Sequence, residues 1–147
     1  MANRDSYETL LTEEIGLLAE LTQAEAAKHQ SLINADMDQF DAALEHCDDL
    51  FTQIVEIDTR RKAAELKPQA GAVDRERLAR WTELREQLRG AAESANEANQ
   101  KNQRLLDSLL GEMKKQIDHV RAGRKALAGY GKGRGGSKPP TILSGDI

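Results

Sequence analysis

Residues 78–120 read LARWTELREQLRGAAESANEANQKNQRLLDSLLGEMKKQIDHV. Within them Leu78, Trp81, Arg85, Leu88, Ala92, Ala95, Asn99, Asn102, Leu106, Leu109, Met113, Gln116 and Val120 follow one another at unbroken spacings of three and four. That is a coiled-coil seam, the pattern that keeps one side of an α-helix turned toward neighbouring helices. A helix this long, with amides at the middle of its seam, offers extended surface for holding partners. It implies no catalytic pocket.

Upstream, Lys67-Pro68-Gln69-Ala70-Gly71-Ala72 is a turn, because proline and glycine together stop a helix and permit reversal. Asp74 can cap the helix that follows, which spans about residues 74–128 and ~80 Å at 1.5 Å per residue. The first helix starts at Asp5 or Ser6, carries Tyr7, Leu10, Leu11, Ile15, Leu17, Leu18 and Leu21 on one side, and runs to about Ile33. Asn34-Ala35-Asp36 interrupts it, and Asp36 followed by Gln39 is a capping-box arrangement that opens a second helix. The seam of that helix reads Met37, Phe40, Leu44, Cys47, Phe51 and Ile54, so Phe40, Phe51 and Trp81 are packing residues. The expected fold is all-α: an elongated antiparallel bundle of three long helices, about 5–33, 36–66 and 74–128, forming one domain. Residues 129–147, rich in glycine and poor in apolar surface, are expected as a flexible, disordered C-terminal tail.

Charge is distributed unevenly along the chain. Between Asp5 and Asp58 the sole lysine or arginine is Lys28, whereas from Lys114 to Lys138 eight bases face one acid, Asp118. Blocks of opposite sign attract when a chain folds back on itself, which favours an antiparallel arrangement. A reversal near Ala70 sets Asp58 roughly opposite Arg85, a pairing that makes two seam charges tolerable. The second helix then begins level with Arg104. From Leu105 onward the last helix needs another neighbour, either the acidic first helix or another protein.

Composition narrows the function classes. With 31% charged and 3% aromatic residues, the 147-residue chain suits solvated helices better than a core with a concave active site. His29, His46, His119 and Cys47 lack the one-face spacing of a helical zinc motif, so neither metal nor other cofactor is expected. Asp38, Asp41, Asp48 and Asp49 fall mainly on a solvated face without a histidine or nucleophile placed to use them, and the chain has no phosphate loop. An enzyme is not expected. The basic C-terminal segment is a nonspecific nucleic-acid signal, opposed by an isoelectric point near 5.4 and the acidic first half. Met1 to Asp5 lead into Glu-rich sequence, so neither a signal peptide nor a membrane span is expected. Together with a lone thiol, Cys47, this points to the cytoplasm.

Two segments stand out as interaction sites. Asn99 and Asn102 either fix register between helices or take part in partner recognition. Leu105, Leu106, Leu109, Leu110, Met113, Ile117 and Val120 form a stripe wider than a two-residue seam requires. It belongs either to a three-helix core or to a groove that takes an amphipathic helix of a client. Beyond it, Tyr130 is the lone aromatic of the glycine-rich segment and a reasonable docking anchor.

Asp36 opening the second helix, Arg60-Arg61 near its end, Asn99 and Asn102 leading into Leu105-Leu106, and Tyr130-Gly131 before a loose tail resemble, in that order, the FlgN-type chaperones of bacterial flagellar export. The tail departs from the pattern, being more basic and glycine-rich between Lys132 and Gly136. The resemblance implies a cytosolic chaperone that binds hook-filament junction proteins, keeps them unpolymerised and delivers them to the export gate and ATPase complex of the flagellar type III apparatus. It implies client binding on Leu105 to Val120 and gate docking through Tyr130, with neither nucleic acid nor stable membrane insertion. The alternatives are a structural coiled coil that self-assembles through the same stripe, or a chaperone for another client such as the filament cap.

Overall fold

In the computed structural model the described residues are 6–66 and 75–133, and they form three helices: α1 Tyr7–Ile33, α2 Met37–Leu66 and α3 Arg75–Gly133. The turn at Lys67–Ala72, the cap at Asp74 and residues 134–147 of the expected tail lie outside them, whereas residues 129–133, expected in that tail, continue α3. The protein is all-α. It divides into two units, Met1–Gln103 and Arg104–Ile147, each described by itself below.

Helix ends follow local chemistry. Ser6, extended at φ −61° and ψ 153°, accepts from the Thr9 amide at 3.3 Å and caps α1. At the other end the Asn34 amide bonds Gln30 O, and Ala35 then takes φ 53°, a left-handed conformation that costs a β-carbon about 1 kcal/mol. That strain turns the chain, so the break between α1 and α2 needs no glycine. Asp36 Oδ1 accepts from the Gln39 amide at 3.1 Å, but the Asp36 amide donates to Ser31 O rather than to the Gln39 side chain. Half of the expected capping box is therefore formed.

In the first unit α2 runs antiparallel to both neighbours while α1 and α3 run parallel. Tyr7 meets Glu65 of α2 and Trp81 of α3, Leu18 packs with Ile54 and Ala95, and Glu25 reaches Asn102. The acidic face of α1 finds its counter-ions on Arg61 of α2, at 2.8 Å from Glu14, and on Arg80 of α3, at 3.1 Å from Glu8. The core is thin and comes in three clusters: Tyr7, Leu11 and Trp81; Leu18, Ile54 and Ala95; and Ala24, Cys47 and Leu50. Alanine and cysteine recur where leucines face them, which lets the helix axes approach closely.

The expected α2 seam holds at Cys47 and Ile54, with Phe40 half-buried, and fails at its other members. Met37, Leu44 and Phe51 are exposed, Phe51 to 61%, whereas Cys47, Leu50, Ile54 and Ile57 are buried. The sequence carries two apolar stripes at helical spacing on this helix. The buried one wins where the small Cys47 leaves room for Ala24, with Leu17 and Leu21 packed beside it. The expected Asp58–Arg85 pair is also absent. Ala64 packs beside Trp81 and Ile54 beside Ala95, so Asp58 lies further along α3 than Arg85 and bonds instead to Arg61 and Lys62 of its own helix. On α3, Leu78 is half exposed although Trp81, Ala95 and Asn102 are buried.

Arg61 occupies the position where the buried stripe of α2 would next place an aliphatic. It is held by Glu14 at 2.8 Å, Asp58 at 2.7 Å and Glu65 at 3.0 Å, with the guanidinium and the Glu14 carboxylate nearly buried. Those carboxylates outweigh burial and push the Arg61 pKa up, so it stays charged. Burial raises the Glu14 pKa against the pull of Arg61. At Asp58 the opposing effect of burial is overcome by bonds from Lys62, Arg61 and Glu14, which lower its pKa. Removing one member strands the other in a dry site. Arg61→Met is expected to destabilise by about 3 kcal/mol in urea unfolding, and Glu14→Leu with Arg61→Met to recover more than half of that loss. An additive loss in the double variant would show the pair to be solvated rather than buried.

Candidate functional site

The first unit holds a second polar layer, at Asn102, which is 1% exposed. Its amide nitrogen donates to the backbone carbonyl of Glu25 and to Glu25 Oε2, both at 2.7 Å. Its oxygen lies 2.9 Å from His29 Nδ1. Because the Asn102 nitrogen is committed to Glu25, the oxygen is the acceptor and His29 Nδ1 carries the hydrogen. Glu25 is held in turn by Lys28 at 3.1 Å, and Ser31 donates to the Lys28 carbonyl at 2.7 Å. These groups occupy about two turns of α1, and a single α3 side chain closes the set. Asn99, one turn earlier, is half-buried.

Cys47 sits in this layer, 5% exposed. Burial and the adjacent Glu25 carboxylate push its thiol up to about 11, with Lys28 opposing. It is an inert, protonated core side chain at neutral pH. At the opposite end of the core, Tyr7 donates to Glu65 and accepts from Arg85 Nε, its ring edge-on to Trp81 at 5.2 Å and 5.1 Å from the Arg85 guanidinium. Burial and Glu65 raise the Tyr7 pKa, against Arg85. Neither Glu25 nor Tyr7–Glu65 was legible as a polar layer in the sequence. Arg61 was not read as one either, although its place seven residues after Ile54 on the same face is a signal that could have found it.

An open groove between α1 and α2 is lined by Glu13, Gly16, Leu17, Glu20, Gln53 and Glu56, and a side chain at Gly16 would meet nothing within 4 Å. Among the described residues no three His, Cys, Asp or Glu side chains gather as metal ligands do. No helix among them is long and apolar enough to cross a membrane.

The second unit is the distal half of α3. Leu105, Leu106 and Ile117 are half-buried there. Leu109, Leu110, Met113 and Val120 are 39, 59, 56 and 40% exposed, and Leu127 is 64% exposed. Leu106, Leu109, Met113, Val120 and Leu127 stand three, four or seven residues apart and share one side of the helix, which Leu105, Leu110 and Ile117 widen. α3 continues through the backbone of Tyr130 to Gly133; the Tyr130 side chain lies outside the described residues.

A three-helix bundle whose polar groups are spent on holding itself together, and whose apolar surplus stands on a long helix, belongs to the class of helical binding proteins. The family model described as FlgN protein matches residues 1–137, and the chain belongs to that family. It is a flagellar type III export chaperone and binds flagellar substrate proteins. No curated protein and no solved structure matches the chain.

The Cys47 layer has a consequence at alkaline pH. A thiol that ionises at about 11 when folded, against 9.0 when free, contributes stability below pH 9 that is lost as pH rises through 11. Tyr7 acts in the same direction above pH 10. Unfolding stability is expected to fall by about 2 kcal/mol between pH 8 and 11 on account of the thiol. Chemical denaturation of Cys47→Ala across that range should show a flatter decline; an identical slope in both proteins would place the titration elsewhere.

Proposed function

We propose that this chaperone binds hook-filament junction proteins in the cytoplasm, keeps them from assembling early and hands them to the export gate and ATPase complex. The observation that carries the reading is the run of exposed apolar side chains Leu109, Leu110, Met113 and Val120 on the distal half of α3, continued by the half-buried Leu105, Leu106 and Ile117. A contiguous apolar face of this kind marks an interaction site. It is suited to an amphipathic helix laid along it, apolar side chains of the client meeting anchors at helical spacing. Axial flagellar proteins that assemble through terminal helices would present such a face before export. Family membership supports the same role.

Within this reading Leu105 to Val120 hold the client. Tyr130, beyond the stripe, engages the gate. Asn102 sets register inside the bundle rather than contacting the client, since its amide is taken up by Glu25 and His29. Asn99, one turn away, is assigned with it. Release requires no nucleotide at this protein, because the client leaves when its apolar face is buried elsewhere.

Each anchor that passes from water into the complex contributes about 1.5–3 kcal/mol, so two charges placed in the stripe remove most of the affinity. Leu109→Glu with Met113→Glu is expected to weaken binding of a purified junction protein at least about 100-fold in titration calorimetry, with helix content by circular dichroism unchanged. Undiminished binding sinks the assignment of the stripe. Capture of the filament-cap protein in place of a junction protein changes the client and keeps the surface. Tyr130→Ala is expected to lower export of junction proteins in a swimming or secretion assay without changing client affinity; loss of client binding would overturn the separation of the two roles.

A further inference from the structure

The exposed side of α2 carries an apolar stripe that the bundle leaves uncovered. Met37, Leu44, Phe51 and Val55 are 58, 39, 61 and 51% exposed. At 100° per residue they fall within about 40° of the helix circumference and run about 27 Å along it. The border of this stripe is acidic. Residues 37–56 contain six carboxylates, of which Asp41 and Asp48 stand beside the stripe, and no lysine or arginine. Both aspartates are exposed.

The chain itself contains a counterpart of matching length and opposite charge. From Leu109 to Leu127 the exposed stripe of α3 also spans about 27 Å, and residues 104–127 carry six bases against three acids. Lys114 borders it beside Leu110 and is exposed, and Arg124, half-buried, borders it beside Val120. Like-charged borders disfavour pairing of α2 with α2, or of distal α3 with distal α3, whereas the mixed pair is attractive on both counts. We propose that the α2 stripe is a docking site for the distal α3 stripe of a second copy of this chain.

The contact is heterologous, since each copy offers two different surfaces, and such contacts continue into open chains unless geometry closes them. Two helical stripes of this size make a small interface, which corresponds to self-association on the order of micromolar. The second copy and a client compete for one α3 surface, so filling α2 of a neighbour shelters the client-binding face while no client is present. This last point rests on the proposed function; the pairing itself does not.

Two single variants test the pairing in the full-length protein. Phe51→Glu disables the α2 stripe and keeps the α3 stripe, and Met113→Glu does the reverse. Both residues are more than half exposed, so circular dichroism should stay native. By sedimentation velocity from ~5 to ~500 μM, wild type is expected to self-associate and each variant alone to bind itself at least about tenfold more weakly. An equimolar mixture of the two is expected to form a complex that stops at two chains, because one intact donor meets one intact acceptor. A wild type that stays monomeric throughout overturns the proposal. Persistent association of Phe51→Glu alone would assign the contact to α3 with α3, and persistent association of Met113→Glu alone to α2 with α2; either result overturns it. These outcomes do not decide the client-binding assignment, which is read separately from the titration with a purified junction protein. A client that binds wild type but loses affinity with Phe51→Glu in a monomeric background would give the α2 stripe to the client instead.

Discussion

A core one side chain thick cannot by itself decide how three helices slide past one another. Leucine against alanine is nearly as good one turn up as one turn down, so apolar burial specifies which faces meet and leaves their register loose. In the first unit two polar layers remove that freedom. Arg61 has its carboxylate partners only where α2 stands level with Glu14 of α1. Asn102 satisfies its amide only where α3 stands level with Glu25 and His29. A slip of one turn at either place buries an unpaired charge or amide, which costs more than the apolar contacts could return. Between them the layers fix α2 on α1 and α3 on α1, and the apolar clusters follow.

The same two layers show where a sequence speaks and where it does not. Helix number, the break at Asn34–Asp36 and the long final helix are local properties, written in propensity, capping and spacing. The facing of α2 is not local. Two apolar stripes compete on it, and the small size of Cys47, judged against Leu17, Leu21 and Ala24 of another helix, selects between them. The Asp58–Arg85 pairing failed for a related reason: opposite charges at seam positions are common on charged helices, and the intrahelical partners Arg61 and Lys62, three and four residues away, were closer competitors. Glu25 carried no signal at all. A glutamate on a solvated helix and a glutamate that receives a buried asparagine look alike until the third helix is placed.

The candidate site was legible in a different sense. The excess of leucines from Leu105 onward is visible as a stripe broader than a seam, and the reading left open whether a third helix or a client covers it. The exposure of Leu109, Leu110, Met113 and Val120 shows that no helix among the described residues covers those side chains. Such surface is costly to a monomer, because it invites unspecific association. Its retention on a chain that elsewhere spends charged residues freely argues that something covers it in use.

A chaperone of this kind faces two opposing requirements. In the role proposed above, it must bind a client's apolar helix well enough to keep it from assembling, yet give it up again. A shallow apolar stripe on one helix suits both. It supplies several anchors, each contributing modestly and each exchangeable for water or for another apolar face, so affinity stays moderate and release proceeds side chain by side chain. A deep pocket would raise affinity by enclosing the client and would slow release in proportion. Within that proposal binding rests on apolar contact, which tolerates variation in the client's sequence while still requiring a helix with one apolar side.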